Sequence, residues 1–418
     1  METAAGIDRK HCWANNLSPN SVSTSKHRIL ILDGESRASL AVVRSLGQLN
    51  VEIGVASHSH WAISAFSNAC DIYFPCPSPQ TSREEYQHWL LDLVSQWKPS
   101  CLLPITDLSL SIVCDRYNEF ANLCHLPFPP IETLQLVQDK VTLLKLAAEL
   151  GIQVPSTIDA KSLGTEEIRS LKDSKSGFVA KPRRADADPP PTLHGNPVQY
   201  FSSGEDLLRQ LGTDADLDNI VIQERISGYG LAVSALFENG ECRATFCHRR
   251  LLEKPPTGGV SVLSESISPV EAPVADALKL LTRLKWHGIA MVEFKRTNSG
   301  RFVLMEINPR FWGTTQLAVD SGVDLPLLLL QQELVEPGKQ AAPVISEYKV
   351  GQRLRWWCGT LDHLLLRLRE RPSPWQKLLT GNGLFIFSAF GRTRSEVLRF
   401  SDPTPGLVEI RNYISDLL

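Results

Sequence analysis

The chain reads as an α/β protein, with an N-terminal domain on a parallel, doubly wound sheet and an α+β core on antiparallel hairpins. Three observations predict this. Over the first 130 residues short apolar runs alternate with segments of helical period, the order a parallel sheet with crossover helices requires. Two later segments, 231–251 and 288–311, each hold two apolar arms around a short polar turn, as hairpins do. The 418 residues, 43% hydrophobic and 21% charged, exceed one simple core and suit two or three domains.

In the N-terminal part, HRILILDG (27–34) is a buried strand ending in a turn, ASLAVVRSLGQLN (38–50) a helix and VEIGVAS (51–57) a second strand. CDIYFPCPSP (70–79) adds an extended piece. SREEYQHWLLDLVSQWK (82–98) opens with Ser82 and Glu85, a capping-box pattern, and is amphipathic. PSCLLPITD (99–107) closes the unit with another apolar strand. Its first turn, DGESRAS, is not the GxGxxG of dinucleotide sites, so no such cofactor is expected. Ligands of such sheets lie at the carboxyl ends of the strands. Ser36, Arg37, Thr106 and Asp107 stand there, either as substrate contacts or as caps of the helices that follow.

Further on, 133–157 reads as one helix stopped by Gly151 and closed by Pro155. GFVAKP (177–182) is a strand carrying Lys181, and ADADPPPTLHGNP (185–197) is a loop placed as a lid would be. SSGEDLLRQL (202–211) is a short helix and NIVIQERISG (219–228) a strand running into a Gly turn. The hairpin 231–251 turns at Asn239-Gly240, and that of 288–311 at Asn298-Ser299-Gly300. Helices are expected over 273–286 and 317–334. The expected domains are a disordered leader (1–26), a Rossmann-like domain (27–130), a core (131–345) with a lid over about 152–222, and a C-terminal appendix (346–418).

Composition narrows the function. A net charge of −3 and a pI near 6.4 predict no nucleic-acid partner. No apolar run approaches the roughly 20 residues that span a bilayer, so no membrane partner is expected. The leader lacks the apolar centre of a signal peptide, and nine scattered cysteines without a CxxC predict free thiols. Together these imply a cytoplasmic location. The appendix, with Trp356-Trp357 and WQKLL, leaves open a homodimer surface or a second pocket.

The chemistry concentrates in LMEINPRFWG (304–313). In a strand Glu306, Asn308 and Arg310 share one face. The hairpin brings Glu293 of the other arm close to Glu306. Two carboxylates side by side raise each other's pKa unless a cation lies between them. Mg²⁺ takes one or two carboxylates with substrate phosphates, which points to a nucleoside triphosphate. Lys181 in an apolar strand is costly to bury unpaired, and a polyphosphate would compensate it. Lys140, after Asp139, fits the same ligand or an exposed helix position. Around 221–228 the backbone suits a purine edge, and Glu224 an amine or ribose hydroxyl. His248 reads as structural, and Cys242 and Cys247 as strand residues.

The order of Asp139-Lys140, AKP, the QE strand, VEF and MEINPRFWG resembles the ATP-grasp superfamily, over roughly 27–335. The segments 247–266 and 349–368 resemble a branch of predicted ATP-dependent carboxylate–amine ligases (carboligases). The resemblance implies an ATP-grasp fold, with ATP and Mg²⁺, or Mn²⁺ in its place, as cofactors. It implies that Lys140 and Lys181 hold phosphates, and that Gln223, Glu224 and Ile226 hold the adenosine. Glu293, Glu306 and Asn308 would ligate the metal, and Arg310 would stabilise the transferring phosphoryl group. Arg249 and Arg250 would grip the acid substrate, and Gly258, Gly259 and Ser261 would form a loop near the phosphoryl acceptor. Small-molecule acid and amine substrates follow. One departure concerns the lid, where ADADPPPTLHGNP offers one glycine, Gly195, and prolines that have no N–H to donate.

The implied reaction is ADP-forming ligation through an acyl phosphate. One alternative is carboxyphosphate chemistry on bicarbonate. Another is ATP binding without turnover in a regulatory protein.

Overall fold

The computed structural model describes residues 27–163, 165–169, 171, 177–184, 198–211, 217, 219–256, 258–334, 345–369 and 393–417. The leader, the loop 185–197 with Gly195, and WQKLL lie outside them. The chain divides into two units, one of residues up to Leu126 together with Val397–Leu418, the other Pro127–Glu396.

The first unit carries strands β1 (His27–Ile31), β2 (Val51–Ser57), β3 (Ile72–Pro75) and β4 (Cys101–Leu103) in the order β3-β2-β1-β4, all parallel. Helices α1 (Arg37–Leu46), α2 (Arg83–Trp97), α3 (Asp107–Asp115) and α4 (Tyr117–Ala121) connect or follow them. This is the β-α-β order read from the sequence. Ser82 caps α2 by accepting from the Glu85 N–H, as its pattern predicts. Asp33, at φ 57°, ends β1 and accepts from the N–H groups of Ile105 and Thr106 and from Ser109 Oγ, tying β1 to the segment after β4.

In the second unit, α5 (Ile131–Gln138) and α6 (Lys140–Glu149) replace the single helix expected over 133–157. The break is Asp139, which leaves helical geometry at ψ 105° and caps α6 by accepting from the Thr142 N–H. A four-stranded antiparallel sheet follows, made of β5 (Thr157–Asp159), β6 (Phe178–Pro182), β7 (Gln199–Phe201) and β8 (Ile220–Glu224) in the order β5-β8-β6-β7. Helices α7 (Thr165–Arg169) and α8 (Gly204–Leu211) accompany it, and Ile168, Leu207, Ile220 and Ile222 belong to its apolar core.

The central sheet has seven strands, ordered β13-β12-β9-β10-β11-β14-β15. They are β9 (Gly228–Glu238), β10 (Glu241–Lys254), β11 (Val260–Ser266), β12 (Gly288–Thr297), β13 (Phe302–Asn308), β14 (Arg353–Arg355) and β15 (Thr393–Ser395). Both expected hairpins form. The β9–β10 turn has Asn239 and Gly240 at φ 50° and 91°, the double left-handed geometry that a tight hairpin needs. One face of β9 and β12, with Val233, Ala235, Phe237, Ala290 and Val292, packs on α6 and on α9 (Val274–Arg283) through Leu143, Ala147, Ala277 and Leu281. The opposite face is left for polar groups.

The helix expected over 317–334 is two, α10 (Thr315–Ser321) and α11 (Leu325–Leu334), parted by Gly322 at φ 106°. The described residues of 346–418 are divided between the two units. Strands β14 and β15 extend the central sheet, α12 (Trp357–Arg369) lies on β10 and β11, and α13 (Thr404–Leu417) belongs to the first unit.

Candidate active site

The polar face of the central sheet is built by the β12–β13 register. Glu293 pairs directly with Glu306, and Met291 with Asn308, so the two carboxylates and the amide share one face. Asn308 Nδ2 donates to Glu293 Oε1 at 3.2 Å. Arg310, beyond the strand end, donates from Nη2 to Asn308 Oδ1 at 3.4 Å and from Nη1 to the Phe311 carbonyl at 3.1 Å. On the other side of Glu293, Ala232 and then His248 continue the row, so Arg250, two residues past His248, reaches the same face. Its Nη2 lies 2.5 Å from Glu293 Oε2, and its Nη1 lies 3.3 Å from Glu253 Oε1.

Burial pushes the Glu293 carboxyl above its ordinary pKa. Arg250 pulls it back, and Glu306 raises it further. A cation on this face would relieve that cost. Among the described residues no cluster of three or more His, Cys, Asp or Glu side chains stands ready to hold a metal by itself. Two carboxylates and an amide oxygen, completed by ligands from a substrate, are a donor set that fits Mg²⁺.

The lysines reach this face from separate elements. Arg183, just past β6, bonds Asp139 and Asp159, each at 2.7 Å, and its carbonyl accepts from the Lys140 N–H at 3.0 Å. That clamp sets the start of α6 beside the end of β6. Lys140 is buried there and Lys181 half-buried. Burial holds the Lys181 ammonium below its ordinary pKa, with Glu306 acting against that and Lys140 and Lys295 adding to it. Glu306, Glu293, Lys140 and Lys295 therefore all act on Lys181.

Several expected residues are placed otherwise. Arg249 and Arg250, both expected at the acid substrate, lie on opposite faces of β10. Adjacent strand residues face opposite ways, and Arg249 Nη2 is held 2.5 Å from Glu265 Oε2, with Arg353 on the other carboxylate oxygen. Gln223 is buried in the middle of the smaller sheet, pairing with Thr157 and Val179, and its Nε2 donates to Thr157 Oγ1. It has no backbone edge to offer a purine. The N–H groups of Glu224 and Arg225 donate to Ser156 and Gly177. Glu224 itself is exposed, and the Ile226 carbonyl accepts from Lys295 Nζ at 3.1 Å. Ser261 is buried with its hydroxyl 2.6 Å from Ser264 Oγ, so it faces its own strand and not an acceptor. Gly258 adopts φ 130°, and a Cβ there would lie 3.0 Å from Tyr200 Oη.

Caps account for two of the four N-terminal candidates, and a helix start for a third. Ser36 caps α1, Thr106 caps α3 in a box with Ser109, and Asp107 opens that helix. His248 is buried, its pKa pushed down to about 3 by burial and Arg250, with Nε2 3.0 Å from Thr314 Oγ1. It is a neutral structural imidazole. Cys242 and Cys247 are free thiols in β10 with raised pKa values, caused first by burial.

Two site residues escaped the sequence reading. Lys295 stands two positions from Glu293 on the same strand face, and the alternation that grouped 306, 308 and 310 would have found it. Glu253, three residues past Arg250, needed the register shifts of β10 between them to reach Arg250 and Lys295.

Residues 216–355 match a family described as ATP-grasp in the biosynthetic pathway with Ter operon. No curated protein matches the chain. Among solved structures, the biotin carboxylase domain of Hydrogenobacter thermophilus 2-oxoglutarate carboxylase, in complex with MgADP, ADP and bicarbonate, aligns with a TM-score of 0.58 at 11% identity. The alignment covers 79% of this chain and 74% of that one. An L-amino acid ligase from Bacillus licheniformis aligns at 0.57 and 14% identity, covering 75% of each chain. N5-carboxyaminoimidazole synthetase from Staphylococcus aureus, complexed with ADP, aligns at 0.58 and 14%, covering 79% of this chain and 82% of that one.

Proposed function

We propose that this member of the ATP-grasp superfamily is an ADP-forming ligase that joins a carboxylic acid to an amine. What carries the reading is the Glu293–Glu306 pair in direct register, with Asn308, Arg310 and Arg250 around it and Lys140 and Lys181 facing it. A floor of acids beneath a set of cations suits a cation–polyphosphate pair and suits either charge alone poorly. The relatives point the same way, since solved structures of the same fold hold MgADP in one case and ADP in another.

Mg²⁺, when bound, neutralises charge between the carboxylates and the phosphates. Glu293, Glu306 and Asn308 are the residues that would hold it. Lys140 and Lys181 position the polyphosphate. An oxygen of the acid attacks the γ-phosphorus in line, the bond to the bridging oxygen breaks and its electron pair leaves with ADP. Positioning and charge neutralisation account for this step without a protein nucleophile. Arg310 and Arg250 face the charge that develops. The amine nitrogen then bonds to the acyl carbon, phosphate leaves with the carbon–oxygen electron pair, and the amine gives up a proton. His248, neutral and bonded to Thr314, takes no part.

The test is ADP release from Mg²⁺-ATP with pools of carboxylic acids, with and without amines, and with Glu306→Ala as control. ADP formed only with an acid and an amine together supports the ligase. ADP that depends on bicarbonate selects carboxyphosphate chemistry instead. Tight ATP binding without ADP in every pool favours a regulatory role. Unchanged binding and turnover in Glu306→Ala removes the metal assignment.

A further inference from the structure

Helix α13 turns one face to its own unit. Pro405, Gly406 and Val408 are buried, Asn412 Nδ2 donates to the Trp61 carbonyl at 2.9 Å, and the Arg411 guanidinium lies 3.6 Å from the centroid of the Trp61 ring. Its other face carries Leu407, Ile410, Ile414 and Leu417, which are 62%, 42%, 51% and 63% exposed. Steps of three and four residues align them in one stripe along the helix.

The stripe is symmetric about Asn412. Leu407 and Leu417 lie equally far to either side, as do Ile410 and Ile414. A twofold axis crossing the helix at Asn412 therefore sets Leu407 against Leu417 of a second copy, and Ile410 against Ile414, in an antiparallel pair. That self-complementarity is what an isologous contact requires, and an unrelated partner gives no reason for it. The same pairing places Arg411, on the flank of the stripe, opposite Tyr413 on the other flank, so no like charges meet there.

The area fits a small interface. The four side chains expose roughly 400 Å² of apolar surface, and Leu398, which packs on Gly406, raises this to roughly 500 Å² per copy, about 1,000 Å² over both, the low end of interface sizes where weak associations fall. We propose that α13 is a homodimer interface, formed by antiparallel packing of the Leu407–Leu417 stripe on a second copy of the chain. None of its residues belongs to the site on the central sheet.

The test is sedimentation of the full chain over about 1–100 µM, the range where an interface at the low end of the standard size dissociates. The wild type is expected to pass from monomer to twice its 46.5 kDa mass. Ile414→Glu should stay monomeric throughout with an unchanged circular dichroism spectrum. Ile410→Lys combined with Ile414→Glu should dimerise again, because each introduced ammonium then opposes the partner's introduced carboxylate. A wild type monomeric at every concentration overturns the proposal, as does a dimer that survives Ile414→Glu. A double variant that stays monomeric overturns the antiparallel register.

Discussion

Replacing Arg250 by alanine tests whether one guanidinium holds the acidic floor together. Its Nη2 is 2.5 Å from Glu293 Oε2, and these side chains are only 20% and 13% exposed. Removing one partner of a buried ion pair costs about 3–5 kcal/mol. Glu253 also loses a partner, but Asn308 still donates to Glu293 and a proton can bind there, which places Arg250→Ala near the lower end, about 3 kcal/mol. At roughly 2–4 °C per kcal/mol, the melting temperature of the ligand-free chain should fall by about 6–12 °C. Adding Glu293→Gln removes the stranded carboxylate, so the double variant should recover about half of the loss, and since Glu293→Gln alone also costs stability the coupling should be at least about 1.5 kcal/mol.

The deficit depends on pH in a definite sense. Without Arg250, Glu293 keeps the burial and Glu306 influences that raise its pKa. The folded state then holds a proton that the unfolded state releases, so stability falls as pH rises through the interval between the ordinary and the raised value. The Arg250→Ala deficit should be smallest in the ordinary carboxyl range and complete above the raised value. Calorimetry of the ligand-free chain at several pH values measures both effects. A melting temperature within about 2 °C of wild type, or a double variant equal to the sum of the singles, would refute the reasoning.

Two further outcomes follow from the same face. Lys181 holds a proton less tightly than an ordinary lysine, because burial outweighs Glu306, so wild-type affinity for Mg²⁺-ATP should fall as pH rises through that lowered pKa. Lys181→Met should bind at least about tenfold more weakly at neutral pH and lack this alkaline limb in a fluorescence titration, whereas an identical limb in the variant excludes Lys181 as its source. Gly258→Ala places a Cβ at φ 130° and 3.0 Å from Tyr200 Oη. It should destabilise the β10–β11 loop by about 1–2 kcal/mol, read as faster amide exchange there, and unchanged exchange would show that the loop yields without cost.

What the sequence disclosed and what it withheld divide along a physical line. Alternation in a strand is local, so LMEINPRF grouped Glu306, Asn308 and Arg310 without any tertiary knowledge. The turn at Asn298-Ser299-Gly300 sets Phe294 opposite Leu304, and a bulge at Met305, which the sequence did not disclose, shifts the register by one so that Glu293 meets Glu306. The same rule, applied in reverse, forbids Arg249 and Arg250 from acting together, because neighbours on a strand diverge. Only the partner strand reveals that Glu265 holds one and Glu293 the other. Helix breaks at Asp139 and Gly322 were harder to read. Asp139 lies inside a continuous apolar pattern, and besides capping α6 its carboxylate is held by Arg183, 44 residues away. The same clamp brings Lys140 to Lys181, so the one lysine whose spacing left it open acquires its place from a contact that no local pattern encodes. The sheet face legible in the sequence is thus the floor of the site, while the cations above it are placed by long-range ion pairs.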